Sequence, residues 1–226
     1  MVTNITISKP IFDFLGSLEK NNNREWFEEH KSTFQTHQSE VKSFFEAVKE
    51  SLSHHDEIEK MKMFRIYRDV RFSKDKTPYK SHFGGSFSRL GAHLRGGYYI
   101  HLKPGGSLLA TGFWAPNKED LFRIRKELEM DASEFRKVIN QKELKSIWGE
   151  LSGDELKTAP KGFDKEHPDI DLIRKKQFVF VRNLTDKEVL SPSFLNEVDS
   201  SFKAIRPYFD LMSDILTTNL NGESIL

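Results

Sequence analysis

The hydrophobic period of this chain changes twice, and that constrains the fold more than any other feature. Ile11, Phe14, Leu15 and Leu18 recur at helical spacing. After the break at Asn21-Asn22-Asn23, Phe27, Phe34, Val41, Phe44, Phe45, Val48 and Leu52 continue that spacing. Asn22 with Glu25 reads as a capping box, so one long helix is expected from there to about Leu52. The polar stretch 53–60 reads as a loop or frayed end.

The period then falls to two. Phe64, Ile66, Val70 and Phe72 alternate with Arg65, Tyr67, Asp69 and Arg71, which predicts a half-buried strand. A second strand is expected near 84–90. Residues 97–114 read as a hairpin, in which Tyr98, Ile100 and Leu102 alternate with Tyr99, His101 and Lys103. Pro104-Gly105 suits the centre of a type II turn between its arms.

Helical spacing returns with Leu121, Ile124 and Leu128 after Pro116-Asn117. Asp131 with Glu134 reads as the capping box of a shorter helix bearing Phe135, Val138 and Ile139, and Leu144, Ile147, Trp148 and Leu151 form another piece. Residues 152–168 read as an ordered loop and 177–182 as a further strand. Ser191-Pro192 opens a last helix carrying Leu195, Val198, Phe202, Ile205, Phe209, Met212 and Leu216, with a kink at Pro207. Strands gathered mid-chain between helices predict an α+β class. The expectation is a mostly antiparallel central sheet of about four to six strands, helices on one face and long terminal helices. No linker or repeat divides residues 1–226, which are read as one domain.

Composition narrows the chemistry. There is no cysteine, which removes thiolate catalysis, disulfides and Cys-ligated metal. No stretch has the apolar length of a membrane span and the N-terminus lacks a signal-peptide pattern, so a cytoplasmic protein without a membrane partner is expected. The 19 Phe can fill a core that would otherwise need many aliphatics. The near-zero net charge of +1 hides a polarity: residues 64–82 hold six Lys/Arg against two Asp, and residues 183–226 hold seven Asp/Glu against three Lys/Arg. Such a distribution either makes an anion-binding face or neutralises itself across the fold.

The densest chemistry lies in 64–82. Arg65, Tyr67, Asp69 and Arg71 share one strand face, and Arg68, unless a bulge intervenes, points inward, where a guanidinium must be paired. Lys74, Lys76 and Lys80 surround Asp75, Pro78 and Tyr79. Arginine forks and lysine point charges suit phosphate or carboxylate, so Arg65, Arg68, Arg71, Lys74, Lys76, Lys80, Tyr67, Tyr79 and the nearby Arg24 are the candidate anion-binding residues. Asp69, Asp75 and His82 are the candidate proton-transfer groups. The competing reading is a basic segment internally paired through Asp69 and Asp75.

The stretch Asn21-Asn22-Asn23-Arg24-Glu25-Trp26-Phe27, together with 64–69 and 71–80, resembles the bacterial family known as domain of unknown function 2461. Gly97-Tyr98-Tyr99, Lys103-Pro104-Gly105-Gly106, Pro160-Lys161-Gly162-Phe163-Asp164 and His167-Pro168 carry the likeness further, over about residues 10–216. The resemblance implies a cytosolic protein of this size and brings no substrate, cofactor or catalytic residue.

Other features are weaker. His82, His93 and His101 fit no standard metal spacing, and the paired glycines form no phosphate fingerprint, so no metal or cofactor is predicted. Asp164, Glu166 and His167 supply either an acid or base, or caps for neighbouring backbone. Three functions follow. The first is a binder of, or enzyme for, a small anionic ligand. The second is a nucleic-acid binder, against which the near-neutral chain weighs. The third is an interaction protein whose basic segment is an ion-pair network.

Overall fold

The computed structural model describes residues 5–226. Helices α1 (Lys9–Lys20), α2 (Arg24–Glu29) and α3 (Lys31–Leu52) lead into strands β1 (Ile58–Met63), β2 (Phe83–Arg89), β3 (Gly97–Leu102) and β4 (Ser107–Phe113). Helices α4 (Lys118–Met130), α5 (Ser133–Ile139), α6 (Lys142–Trp148) and α7 (Ile170–Ile173) precede β5 (Phe178–Leu184). Then come α8 (Asp186–Val189), α9 (Phe194–Ala204) and α10 (Arg206–Thr217). The five strands form one antiparallel sheet in the order β1-β2-β3-β4-β5, the expected α+β architecture.

Two compact units are traced by contacts. The first holds the residues up to Phe87, then Tyr99–Leu109 and Asn183–Ser200. Its core is aromatic. The buried rings of Phe34 and Phe45 on α3 meet Phe83 and Phe87 on β2, and Phe44 stacks on Phe194 at 5.3 Å. Gly85 is where α3 approaches most closely, since a Cβ there would lie 2.6 Å from the Phe45 ring. Pro104 and Gly105 make the expected turn, with Gly105 at φ +66° and the Gly106 amide donating to the Lys103 carbonyl at 3.0 Å.

The second unit holds Ser88–Tyr98, Ala110–Arg182 and Ser201–Leu226. Tyr98 lies against Phe202 and Phe209, and the buried Tyr208 hydroxyl donates to the Phe178 carbonyl at 3.0 Å. Arg89, with its side chain fully buried, donates to the Arg95 carbonyl and lies over the Phe209 ring. Gly112, at φ +115°, admits the β5 backbone, because a Cβ would sit 2.3 Å from the Phe178 carbonyl oxygen.

Several local expectations shift. The long helix is two, broken at His30 with φ −106° and ψ 13°. Asn23, not Asn22, is the cap, accepting from the Trp26 amide at 2.9 Å. No capping box forms at Asp131, whose carboxylate instead accepts the Ser133 amide. Pro207 does more than kink the last helix. It stands in the first turn of α10, where its missing N–H costs nothing, and α9 has already ended.

The largest correction concerns the first strand. It is β1, which begins within the stretch read as a loop and runs on to Met63, while 64–82 is an irregular hairpin extension with an antiparallel bridge between Tyr67 and Tyr79. The Arg68 amide donates to the Pro78 carbonyl at 2.9 Å and the Lys80 amide to the Ile66 carbonyl at 2.8 Å. Alternation does persist from Arg65 to Tyr67, with Ile66 buried, but Phe72 is 97% exposed. Apolar periodicity misled here because the segment has no second sheet neighbour to bury its inward face.

Asn22 holds the extension in place. Its carboxamide donates to the Tyr79 carbonyl at 2.9 Å and accepts the Tyr79 amide at 3.0 Å, as a neighbouring strand would. Phe27 stacks on the buried Tyr79 ring at 4.0 Å. Replacing Asn22 with Ala leaves both main-chain groups of Tyr79 without these partners. The expected cost is about 1–3 kcal/mol in urea unfolding. Hydrogen exchange at the Tyr79 and Arg68 amides should rise selectively, whereas unchanged exchange there would show that the clasp is dispensable.

Candidate functional site

Residues 64–82 divide into a tip and a base. At the tip, charges are satisfied locally. Arg68, half-buried, donates to both the Asp75 carboxylate and the Thr77 hydroxyl. Asp75 also accepts the Thr77 amide at 2.9 Å and hydroxyl at 2.8 Å. The Thr77 amide, the Arg68 guanidinium and the Thr77 hydroxyl together hold the Asp75 carboxyl down at about 2. Arg71 grips Asp69 with two bonds of 3.0 and 2.7 Å, which lowers the Asp69 carboxyl. Lys76 donates to the Val70 carbonyl at 2.9 Å. Lys74 and Arg65 are exposed.

Tyr67 is 47% exposed and meets Phe27 edge-on, while Tyr79 is buried. Arg24 is exposed in the first turn of α2, and its charge opposes the burial that raises the Tyr79 phenol. The candidates therefore do not converge as one set. Arg68, Asp75 and Thr77 form one group, Asp69 and Arg71 another, and Lys80 with His82 belongs to a third.

That third group is at the base of the extension. Pleating sends Tyr98, Ile100 and Leu102 of β3 into the core, so Tyr99, His101 and Lys103 occupy the opposite, half-exposed face. The Tyr99 oxygen lies 3.1 Å from His101 Nδ1, and the His101 ring lies 4.1 Å from the His82 ring at an interplanar angle of 32°. Gly84 makes room for the hydroxyl, because a Cβ there would stand 2.9 Å from it. Phe64 approaches Tyr99 at 6.1 Å, and the Lys80 ammonium lies over the Phe64 ring at 5.7 Å. Lys103 pairs with Glu19 of α1 at 2.7 Å.

The electrostatics of this cluster are lopsided. Burial, His101, Lys80 and Lys103 push the His82 imidazole down to about 4. Burial, with the same two lysines, also lowers His101. Burial and Arg65 lower Lys80, and burial raises the Tyr99 phenol. Near neutrality the phenol is protonated and both imidazoles are neutral. The hydroxyl then donates to His101 Nδ1, which leaves the ring proton of His101 on Nε2. Two ring donors, a phenol and an ammonium thus crowd a half-buried site at which Glu19 bonds Lys103 and, at 3.4 Å, the Ser81 hydroxyl.

Tyr99, His101 and Phe64 were not among the sequence candidates. The signal was present as the same-face series Tyr99, His101, Lys103, but its meeting with Lys80 and His82 depends on β3 pairing beside β2. The loop 160–168 resolves as scaffold: His167 Nδ1 accepts the Asp169 amide at 3.1 Å, its Nε2 contacts the Glu129 carbonyl at 3.1 Å, and Asp164 accepts the Glu166 amide at 2.9 Å. Among the described residues, no group of three or more His, Cys, Asp or Glu is arranged to hold a metal ion, and no helix is long and apolar enough to cross a membrane.

The fold and cluster define an α+β protein with a basic, aromatic, histidine-containing group on a sheet face. The chain belongs to the family described as conserved hypothetical protein (DUF2461), whose model matches residues 10–211. No curated protein and no solved structure matches the chain.

The depressed His82 gives a signed pH dependence. An unfolded histidine takes its proton near 6.5, whereas the folded ring takes it near 4. Between those values the unfolded chain binds the extra proton, so this stability is present above 6.5 and lost as pH falls toward 4. After allowance for solvent screening of a half-buried ring, the loss is roughly 1–2 kcal/mol. Urea titrations at both ends of that window should show a smaller decline for His82→Gln than for the unaltered protein. Equal declines would remove His82 as the source.

Proposed function

We propose that this protein binds a small anionic group, a phosphate or a carboxylate, at Lys80, His82, Tyr99 and His101. The observation that supports this reading is the cluster itself. Two adjacent, tilted imidazoles are kept neutral by burial and by two lysines, and an anion placed among them would reverse both penalties. In this reading Arg68 and Arg71 shape the tip, since each already grips a carboxylate. Arg65 adds long-range attraction, and Lys74 and Lys76 lie farther out along the extension. Of the three proton-transfer candidates, Asp69 and Asp75 are committed to arginines, which leaves His82 to exchange a proton with a bound anion.

The test is thermal stability in inorganic phosphate and in acetate. A ligand at a hundredfold excess over its dissociation constant adds about 2.7 kcal/mol. Phosphate should raise the melting temperature, and acetate, whose charge is constant over the range, should do so more at pH 6 than at pH 8, because an anion that lifts the lowered imidazoles takes up a proton on binding. Lys80→Gln and His82→Gln should remove the shift and Arg71→Ala should keep it. A shift lost in Arg71→Ala but retained in His82→Gln would move the site to the tip, and no shift with either anion would remove the reading.

One observation favours a second reading. Phe72 is 97% exposed beside Arg71, with Lys74 and Lys76 also exposed, an apolar ring among cations that suits base stacking and phosphate contact. A gel shift with single-stranded oligonucleotide at low salt, abolished by Phe72→Ser, would support nucleic-acid binding. Its absence would leave the anion site alone.

A further inference from the structure

The outer edge of the sheet suggests a second site, built from different atoms. β1 has one strand neighbour, β2, and so presents an open edge. The Phe64 amide donates inward to the Gly84 carbonyl at 2.8 Å. Farther along, Ile66 and Arg68 also bond inward, to Lys80 and Pro78. Antiparallel pairing alternates, so the main-chain groups of Met63, Arg65 and Tyr67 point outward.

Beyond that edge lies α3. It reaches β1 where the Lys49 ammonium donates to the Glu59 carbonyl at 3.4 Å, near the turn that joins helix and strand. Away from that turn a cleft of about 430 Å³ separates Gln35, Gln38 and Lys42 of α3 from residues 63–65. A second cleft of about 220 Å³ shares Gln35, Gln38 and Arg65 and continues to Lys31 and Tyr67. The helix flank from Lys31 to Lys42 runs about 16 Å at 1.5 Å per residue. Residues 63–67 span about 13 Å. This is the length of an extended segment of roughly five residues.

The cleft is also selective in charge. Lys31, Lys42 and Arg65 border it, and no Asp or Glu does. Glu28 and Glu46 meet Lys31 and Lys42, but those pairs are solvent-exposed and hold little energy. β1 itself carries the charges that usually guard an edge, at Glu59, Lys60 and Lys62. From Met63 to Tyr67 the only charge is Arg65, an attractive one for a carboxylate.

We propose that this edge binds an extended, acidic peptide segment, which adds a strand beside 63–67 and rests on α3. Main-chain bonds to Met63, Arg65 and Tyr67 supply affinity, and Lys31, Lys42 and Arg65 select carboxylate side chains. The occupant is a macromolecular segment, distinct from the small anion proposed for the Lys80–His82 cluster.

The probe is a fluorescein-labelled hexapeptide of alternating valine and glutamate, read by anisotropy on the full chain. Two control peptides are used: alternating valine and lysine, and the acidic sequence N-methylated at alternate amides. The acidic peptide should bind, and both controls should bind at least roughly tenfold more weakly. Met63→Pro removes an outward amide without touching a bond to β2 and should weaken binding by a similar factor. Arg65→Glu, at an exposed position, should do so with unchanged melting and circular dichroism, which keeps the test valid if Met63→Pro unfolds. Saturating inorganic phosphate should leave peptide binding in place. The proposal is overturned if no peptide binds at about 1 mM. Indifference to N-methylation, or equal binding of the acidic and basic peptides, overturns it too.

Discussion

The two hydrogen bonds between Asn22 and the main chain of Tyr79 are the constraint on which the placement of the 64–82 extension depends. A hairpin extension with one β-bridge cannot hold its shape by strand pairing alone. The Asn22 side chain takes the role of an absent neighbouring strand, and Phe27 seats the Tyr79 ring from the same turn of chain. With Tyr79 anchored, Lys80 and His82 are carried to the half-exposed face beside Tyr99 and His101. The two most distinctive stretches of the sequence, near Asn22 and near Tyr79, are halves of one device.

Charge is distributed along the extension by a simple rule. Where a carboxylate lies within a few residues, the arginine closes on it, as Arg68 does with Asp75 and Arg71 with Asp69. The Asp69–Arg71 pair is exposed and the Arg68–Asp75 pair partly so, which limits their contribution to global stability, and both tie together residues of the tip. At the base, Glu19 pairs with Lys103, and Lys80 and two neutral imidazoles lie beside that pair. Burial first, and then the neighbouring positive charges, lower His82 and His101. Perturbation of this kind, by burial and like charge together, is what the proposed anion site rests on.

Much of the fold was legible. The hairpin of β3 and β4, its Pro104-Gly105 turn, the Phe34, Val41, Phe45 and Val48 stripe and the start of α4 at Asn117 all follow from local periodicity and turn chemistry. The two strand errors share one cause. Phe64, Val70 and Phe72 alternate like a strand, yet a strand needs a neighbour, and 69–77 has none in the sheet. Conversely, Ile58 to Met63 looks polar and frayed, but as an edge strand it needs to bury only part of one face.

The α+β class, the absence of thiol chemistry and the concentration of basic residues in 64–82 follow from the order of amino acids alone. Each of these is a property of composition or of spacing along the chain. Which charges cancel and which remain depends on how the chain folds. Arg68 and Asp75 are seven positions apart and meet across a turn, while Lys80, His82, Tyr99 and His101 meet because β3 pairs beside β2. Such meetings depend on strand register and on the clasp from Asn22, fifty-seven positions away from Tyr79, and local periodicity carries no information about either.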